Sequence, residues 1–300
     1  TWDESVETDW CGDRSRPKIH VCPSSQVSRL VSCVCWLSLN PENDCELCDP
    51  DGFVITDGHS NTGGHQSGPG MLNISVSPTV SNCRFEGNVA QYRAGAMYIE
   101  NASPTVTNCD FIGNNASAFG GAIAIIRDSS PLIVDSYFEE NSATGGGAIE
   151  INREGTGGVV PTPVFVGCEF DSNSASWAGG AIYTMNSEDI MIDTTFESNV
   201  ATGGPGGAIN AQGGDLTYLN CEFLDNQTSA ASAHGAAMNA MGSVLDFVNS
   251  TFEGNSATAN GAALHVMVDT ANVTLTNTTF SANTTSSGTG GAVHVGDDVT

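Results

Sequence analysis

One pattern, said eight times, constrains this chain more than any other feature. Phenylalanine recurs at Phe85, Phe111, Phe138, Phe170, Phe196, Phe223, Phe252 and Phe280, at spacings of 26, 27, 32, 26, 27, 29 and 28 residues. Three residues after each stands an asparagine: Asn88, Asn114, Asn141, Asn173, Asn199, Asn226, Asn255 and Asn283. Later in each unit comes a pair of Gly or Ala, then Ala, then an apolar residue (Met97, Ile123, Ile149, Ile182, Ile209, Met238, Leu264, Val293). Self-similarity at such a period belongs to solenoids and arrays, whose units cannot bury their apolar faces alone.

Further columns define the unit. Five residues before each Phe the residue is apolar, as at Val80, Val106 and Ile133. Two before, it is small or sulfur-bearing: Cys83, Cys109, Ser136, Cys168, Thr194, Cys221, Ser250, Thr278. Three before, it is Asn, Asp or Gly, the types that enter a left-handed backbone at least cost. Each unit therefore reads as a short strand, a tight bend, a second strand with period-two alternation, and a third strand after the glycine pair. No segment has the 3.6-residue apolar period of an amphipathic helix. The expected fold is all-β: a right-handed, single-stranded parallel β-helix of about 8–9 coils over residues 51–300, with residues 1–50 as an N-terminal Cys-rich cap. The Phe column becomes an interior aromatic stack. The Asn column becomes a ladder in which each amide hydrogen-bonds its copies above and below.

Phe-x-x-Asn followed by Gly-Gly-Ala-Ile resembles the repeat of chlamydial polymorphic outer membrane proteins. "SPTVSNCRFEGN" and "SPTVTNCDFIGN" are similar to the wider group of secreted right-handed β-helix repeat proteins with a pectin-lyase-like fold. The resemblance covers about residues 51–300. It implies the fold, and a group that mixes adhesins, surface proteins and polysaccharide-active enzymes.

The chain of 300 residues has 8 Lys plus Arg against 34 Asp plus Glu, a net charge of -26, and no Lys or Arg after Arg153. Such a surface repels nucleic acid and anionic membranes. No apolar run is long enough to span a bilayer as a helix. "GGAVHVGDDVT" stops within a coil without a capping sequence, so continuation in a longer protein is expected.

Six of the ten cysteines, Cys11, Cys22, Cys33, Cys35, Cys45 and Cys48, fall in the first 50 residues. In a secreted-looking chain they are disulfide candidates, with on the order of 15 pairings open. Cys45 and Cys48 in C-x-x-C spacing leave a zinc site as the rival. The other four occupy the interior column as small buried hydrophobes, with Cys83 and Cys109 on adjacent coils.

Lyases and hydrolases on β-helices need a basic proton acceptor or substrate clamp beside paired carboxylates. Within the coils only Arg84, Arg93, Arg127 and Arg153 are basic, in non-matching columns, so no catalytic residues are assigned. Any catalytic site of a carbohydrate-active enzyme would then lie outside this segment. The residues following Phe138, Phe170 and Phe196 are Glu139, Asp171 and Glu197, carboxylates that would stack about 5 Å apart. Either salt screens them or calcium bridges them. Calcium is the one cofactor this suggests. Outside the glycine-pair strand, Tyr98, Glu150, Tyr183, His265 and His294 share a column, with the two His as a weak metal pair. Asn-x-Ser/Thr sequons occur at Asn73, Asn101, Asn115, Asn226, Asn249, Asn272, Asn277 and Asn283.

The reading is a secreted or cell-surface structural or adhesion protein, a rigid rod for a filament or coat. Its candidate partners are copies of itself, surface glycans or other surface proteins. A glycan- or calcium-binding surface module is the alternative. An ice-binding face would need repeated Thr-x-Thr, which "TLTNTTF" offers once.

Overall fold

The computed structural model describes residues 51–60, 66–155, 158–267 and 272–296. The cap expected over 1–50, with Cys11, Cys22, Cys33, Cys35, Cys45 and Cys48 and their disulfide or zinc readings, lies outside the described residues. Those that are described form an all-β parallel solenoid of about nine turns, with no helix among them.

Each coil supplies four strands, one more than the sequence suggests. In the coil containing Phe111 they are Thr105–Thr107, Asp110–Ile112, Asn115–Ala116 and Ile123–Ile126. The additional strand is only two residues long, too short for an alternation pattern to register. Every strand pairs in parallel with its copy on the next coil, like residue opposite like: Phe85 with Phe111, Ala116 with Ala90, Ile123 with Ile149. The Phe strands make one nine-stranded sheet and the short additional strands, two to five residues long, another. The remaining two sets join into a 16-stranded sheet through one eleven-residue strand, Ile209–Leu219.

The interior follows the column logic. Phe85 through Phe252 are fully buried, and Phe280 is partly so. Successive rings stand 4.6–4.9 Å apart and within 9° of parallel. Phe165, Tyr218 and Phe247, from the column five before, meet this stack edge-on. Aromatic pairs thus gain both buried area and favourable ring geometry.

The Asn ladder is saturated. Asn141 Nδ2 donates to Phe111 O of the previous coil at 2.8 Å and to Asn173 Oδ1 of the next at 3.0 Å. Asn173 Oδ1 also accepts the Asn141 backbone N–H at 3.0 Å. The same set recurs from Asn88 to Asn283. A fully buried primary amide that uses both hydrogens and both lone pairs carries no desolvation penalty.

Two left-handed bends frame the Phe strand. The first is at the Asn/Asp/Gly column, with φ from 47° to 62°. The second, two residues after each Phe, the sequence does not announce. It holds Gly87, Gly113, Glu140, Ser172, Ser198, Asp225, Gly254 and Ala282, all at φ from 52° to 69°. These residues face outward, and from Gly87 to Gly254 their N–H groups bond the next coil, as Glu140 N does to Asp171 O at 3.2 Å. That coil-to-coil bond compensates the roughly 1–2 kcal/mol that a left-handed non-glycine residue costs. The glycine pair has a simpler cause: a Cβ on Gly121 would lie 2.0 Å from Gly147 O, and one on Gly147 2.0 Å from Gly180 O.

The Cys/Ser/Thr column proves to be more than small filler. Each side chain donates to the carbonyl two residues back: Cys109 Sγ to Thr107 O at 3.3 Å, Ser136 Oγ to Val134 O at 2.9 Å, Thr194 Oγ1 to Ile192 O at 2.9 Å. The shared requirement is a short S–H or O–H donor beside the first bend, which is why three residue types interchange there.

Candidate functional site

With the interior occupied by ladders, contact with a ligand falls to the outward columns. On the Phe sheet, Glu139 lies opposite Asp171, and Asp171 opposite Glu197, in register. Tyr137 donates from its hydroxyl to Asp171 Oδ2 at 3.3 Å. Glu169, in the adjoining column, is held above the ordinary carboxylate range by partial burial and then by Asp171, Glu197 and Glu139. The carboxylates form a row rather than a cage. Among the described residues no three His, Cys, Asp or Glu side chains are grouped to hold a metal ion. Glu139, Asp171 and Glu197, where the sequence suggests a calcium bridge, stand side by side on in-register parallel strands.

The column outside the glycine-pair strand differs from its sequence reading. Tyr98, Ala124, Glu150, Tyr183, Asn210, Asn239 and His265 pair coil to coil, yet all are buried. The segment that precedes each glycine pair covers them. Arg93 comes from such a segment and reaches the fully buried Glu150, Nε to Oε2 at 3.0 Å. It also pairs with Glu154, while Arg127 of the next coil pairs with Glu100. Asn152 Nδ2 donates to Glu150 Oε1 at 3.2 Å, and Tyr98 donates from its hydroxyl to Glu100 Oε2 at 3.1 Å. Burial pushes the Glu150 carboxyl up to about 7, against the opposing pull of Arg93.

Aromatic rings surround this charged centre. Arg93 stands 5.0 Å over the Tyr92 ring and 5.9 Å from that of Phe119. Phe119 stacks on Tyr183 at 5.6 Å, and Trp177 lies against Tyr183 at 5.5 Å. Tyr92 and Trp177 remain 46% and 41% exposed. A Cβ on Gly204 would come within 2.9 Å of Trp177 O and 3.3 Å of Trp177 Cδ1, so glycine on the next coil eases the fit of this residue. Beside this ledge runs a shallow groove of about 370 Å³, lined by Asn115, Ser142, Thr144, Ser174, Ser176 and Thr202 among others. Exposed rings held by buried ones, next to hydroxyls, suit a ligand with one apolar face and a hydroxylated edge. Periodicity singles out neither Arg93 nor Trp177, since both lie in the unit's most variable segment.

The histidines stack instead of chelating. Asn239 Nδ2 donates to Asn210 Oδ1 at 2.8 Å, which leaves its oxygen to accept His265 Nδ1–H at 2.7 Å. Ring centroids of His265 and His294 are 5.2 Å apart and nearly parallel, and His234 stacks on the other face of His265 at 4.3 Å. In this arrangement the two rings that the sequence reading pairs as metal ligands face each other plane to plane.

The sequons divide. Asn101, Asn249, Asn272 and Asn277 are exposed and Asn115 is half-buried. Asn226 is fully buried with its amide spent in the ladder, and Asn283 is a partly buried member of the same ladder. Asn73 is buried to 1%. These three are not glycan acceptors in the folded chain, because the amide nitrogen that would carry the sugar faces inward.

No helix among the described residues is long and apolar enough to cross a membrane. The family model described as "right handed beta helix region" matches residues 43–199 and 162–299. No curated protein matches the chain, and no solved structure does.

Proposed function

The chain belongs to the right-handed β-helix family, and on that premise we propose that it is a secreted or cell-surface rod with a structural or adhesive role. One observation carries this reading. The Phe and Asn ladders run without interruption through eight coils, a spine whose stiffness comes from repetition. Its outer faces are left for contact with copies of itself or with other surface components. The acidic surface favours partners other than nucleic acid and anionic membranes. Surface labelling of intact source cells with a non-permeant amine- or carboxyl-reactive reagent, followed by antibody capture of the chain, tests the reading. Recovery of the protein only from the unlabelled cytosolic fraction would refute it.

A glycan-binding surface module is the second reading, favoured by the exposed Trp177 and Tyr92 rings beside the hydroxyl-lined groove. A screen of neutral and acidic polysaccharides with the wild type and a Tyr92→Ala/Trp177→Ala double variant tests it. Equal binding by both proteins would remove the ledge from consideration. Neither reading assigns catalysis to these coils. Incubation with polygalacturonate or alginate is expected to release no unsaturated or reducing ends, and turnover lost on changing a single coil carboxylate would overturn that.

A further inference from the structure

Four cysteines occupy the donor column, but only two are neighbours. Cys168 stands between Ser136 and Thr194, and Cys221 between Thr194 and Ser250, whereas Cys83 and Cys109 follow one another directly. The strands on either side of this pair are in register, Val80 with Val106 and Phe85 with Phe111. Neighbouring in-register strands lie about 4.7–4.9 Å apart, within the roughly 4.4–6.8 Å Cα separation that a disulfide accepts. The Cys83 backbone N–H points at Cys109 Sγ, 3.4 Å away. Both thiols also face carbonyls of their own coils, Cys83 Sγ to Ser81 O at 3.2 Å and Cys109 Sγ to Thr107 O at 3.3 Å.

We propose that Cys83 and Cys109 are a redox pair that closes into a disulfide joining two successive coils. The step is thiol–disulfide exchange with an external disulfide. One thiolate attacks the oxidant's sulfur, forming a mixed disulfide and releasing one reduced thiol. The second thiolate then attacks the protein sulfur of that mixed disulfide. The Cys83–Cys109 bond forms, the second half of the oxidant leaves, and the two protons lost by the protein thiols end on the two leaving thiolates. The protein loses two electrons and the external disulfide gains them.

The hydrogen bond between the two thiols draws the Cys83 thiol down and drives Cys109 upward, so the pair yields one thiolate more readily than an isolated buried thiol does. Cys168 and Cys221, by contrast, are pushed up to about 11 and about 12 by burial. Cys83 and Cys109 are 2% and 0% exposed, so exchange proceeds through local separation of these coils and is slow. The closed form ties a 26-residue turn to its neighbour and opposes the fraying of that part of the stack. This inference is independent of where the protein resides, although an oxidising exterior favours the closed form.

The column supplies its own control, since serine already fills the same position at Ser136 and Ser250 with the same bond to the carbonyl two residues back. Cys83→Ser and Cys109→Ser thus retain the donor. The full chain, wild type and variants, is incubated with glutathione disulfide, alkylated and digested with trypsin and a protease cutting before Asp. Cleavage after Arg84 and Arg93 and before Asp57 and Asp110 puts Cys83 on a 57–84 peptide and Cys109 on a 94–109 peptide. The expected result is a linked 57–84/94–109 species in oxidised wild type that dithiothreitol abolishes. It is absent from both variants, while Cys168 and Cys221 stay alkylated. Wild type in which Cys83 and Cys109 remain separately alkylated after prolonged oxidation would overturn the proposal, as would Cys109 linked instead to an N-terminal cysteine. Both outcomes are measured on wild type, so they stand even if a variant fails to fold.

Discussion

Replacing Asn173 by Leu tests the amide ladder at its most enclosed point. The side chains are similar in size, so the change removes hydrogen bonds while leaving packing volume nearly intact. Asn173 Nδ2 donates to Phe138 O at 2.9 Å and to Asn199 Oδ1 at 3.0 Å, and its Oδ1 accepts both the backbone N–H and the Nδ2 of Asn141. Three groups then have no partner for a hydrogen or lone pair: Phe138 O, the Asn141 backbone N–H, and one hydrogen of Asn141 Nδ2. Asn199 Oδ1 keeps the Asn173 backbone N–H at 3.0 Å. At about 1–3 kcal/mol for each buried unsatisfied group, the loss is roughly 3–9 kcal/mol, a large part of a typical domain's stability. Asn173→Asp separates hydrogen bonding from shape. The carboxylate still accepts from Asn141 but aims a lone pair at Phe138 O, so destabilisation at pH 7 should partly recover in acid, where the protonated group donates once. Urea unfolding followed by circular dichroism measures both, with midpoints compared directly because repeat arrays need not unfold in two states. If Asn173→Leu stays within about 0.5 kcal/mol of wild type, as a surface change does, the ladder does not hold the coils together and the reasoning fails.

Three further outcomes are expected. Phe170→Ala, which empties one rung of the ring stack, should cost about 3–5 kcal/mol in the same unfolding assay. Asp189 is fully buried, and burial raises its carboxyl to about 6, against the pull of the Thr184 and Ser187 hydroxyls. Because the folded pKa lies above the unfolded one, the stability linked to this proton is full below pH ~4 and is lost as pH rises through about 6, at ~1.4 kcal/mol per pKa unit. Melting temperatures from pH 4 to 7 should show this fall, and Asp189→Asn should flatten it. Expressed through a eukaryotic secretory pathway, the chain should carry no glycan at Asn73, Asn226 or Asn283. Any occupancy should be confined to Asn101, Asn115, Asn249, Asn272 and Asn277, as site-resolved mass spectrometry would reveal.

The interior is legible in the sequence because each coil makes the same demand at the same place. A ring must face a ring and an amide must face an amide, so Phe and Asn cannot drift. The first bend is legible for a similar reason, since Asn, Asp and Gly are the residues that enter it cheaply. The second bend is silent: Gly113, Glu140, Ser172 and Asp225 face solvent, and a backbone bond to the next coil supports the conformation whatever the side chain. The Cys/Ser/Thr column shows its size in the sequence but not its donor role, which depends on a carbonyl turned toward it by the bend. The burial of Glu150 and His265 is hidden for another reason. The covering segment runs from Ala90 to Ala94 in one coil and from Thr228 to His234 in another, and its composition changes with its length.

Like-with-like pairing also makes the stack nearly degenerate under translation. A coil laid against the wrong neighbour, displaced by one whole repeat, recovers Phe on Phe, Asn on Asn and Gly on Gly, whereas a displacement of one residue forfeits all three. The regular columns therefore say how two coils fit together but not which two. That information rests with the irregularities. Arg93 can meet Glu150 only if one coil intervenes between theirs, Tyr218 and Phe247 form a single aromatic step in an otherwise mostly aliphatic column, and the Ile209–Leu219 strand turns its corner in one coil alone. Such exceptions act as addresses, and erasing them should leave a chain that is still stable coil by coil but slower to find its one correct order.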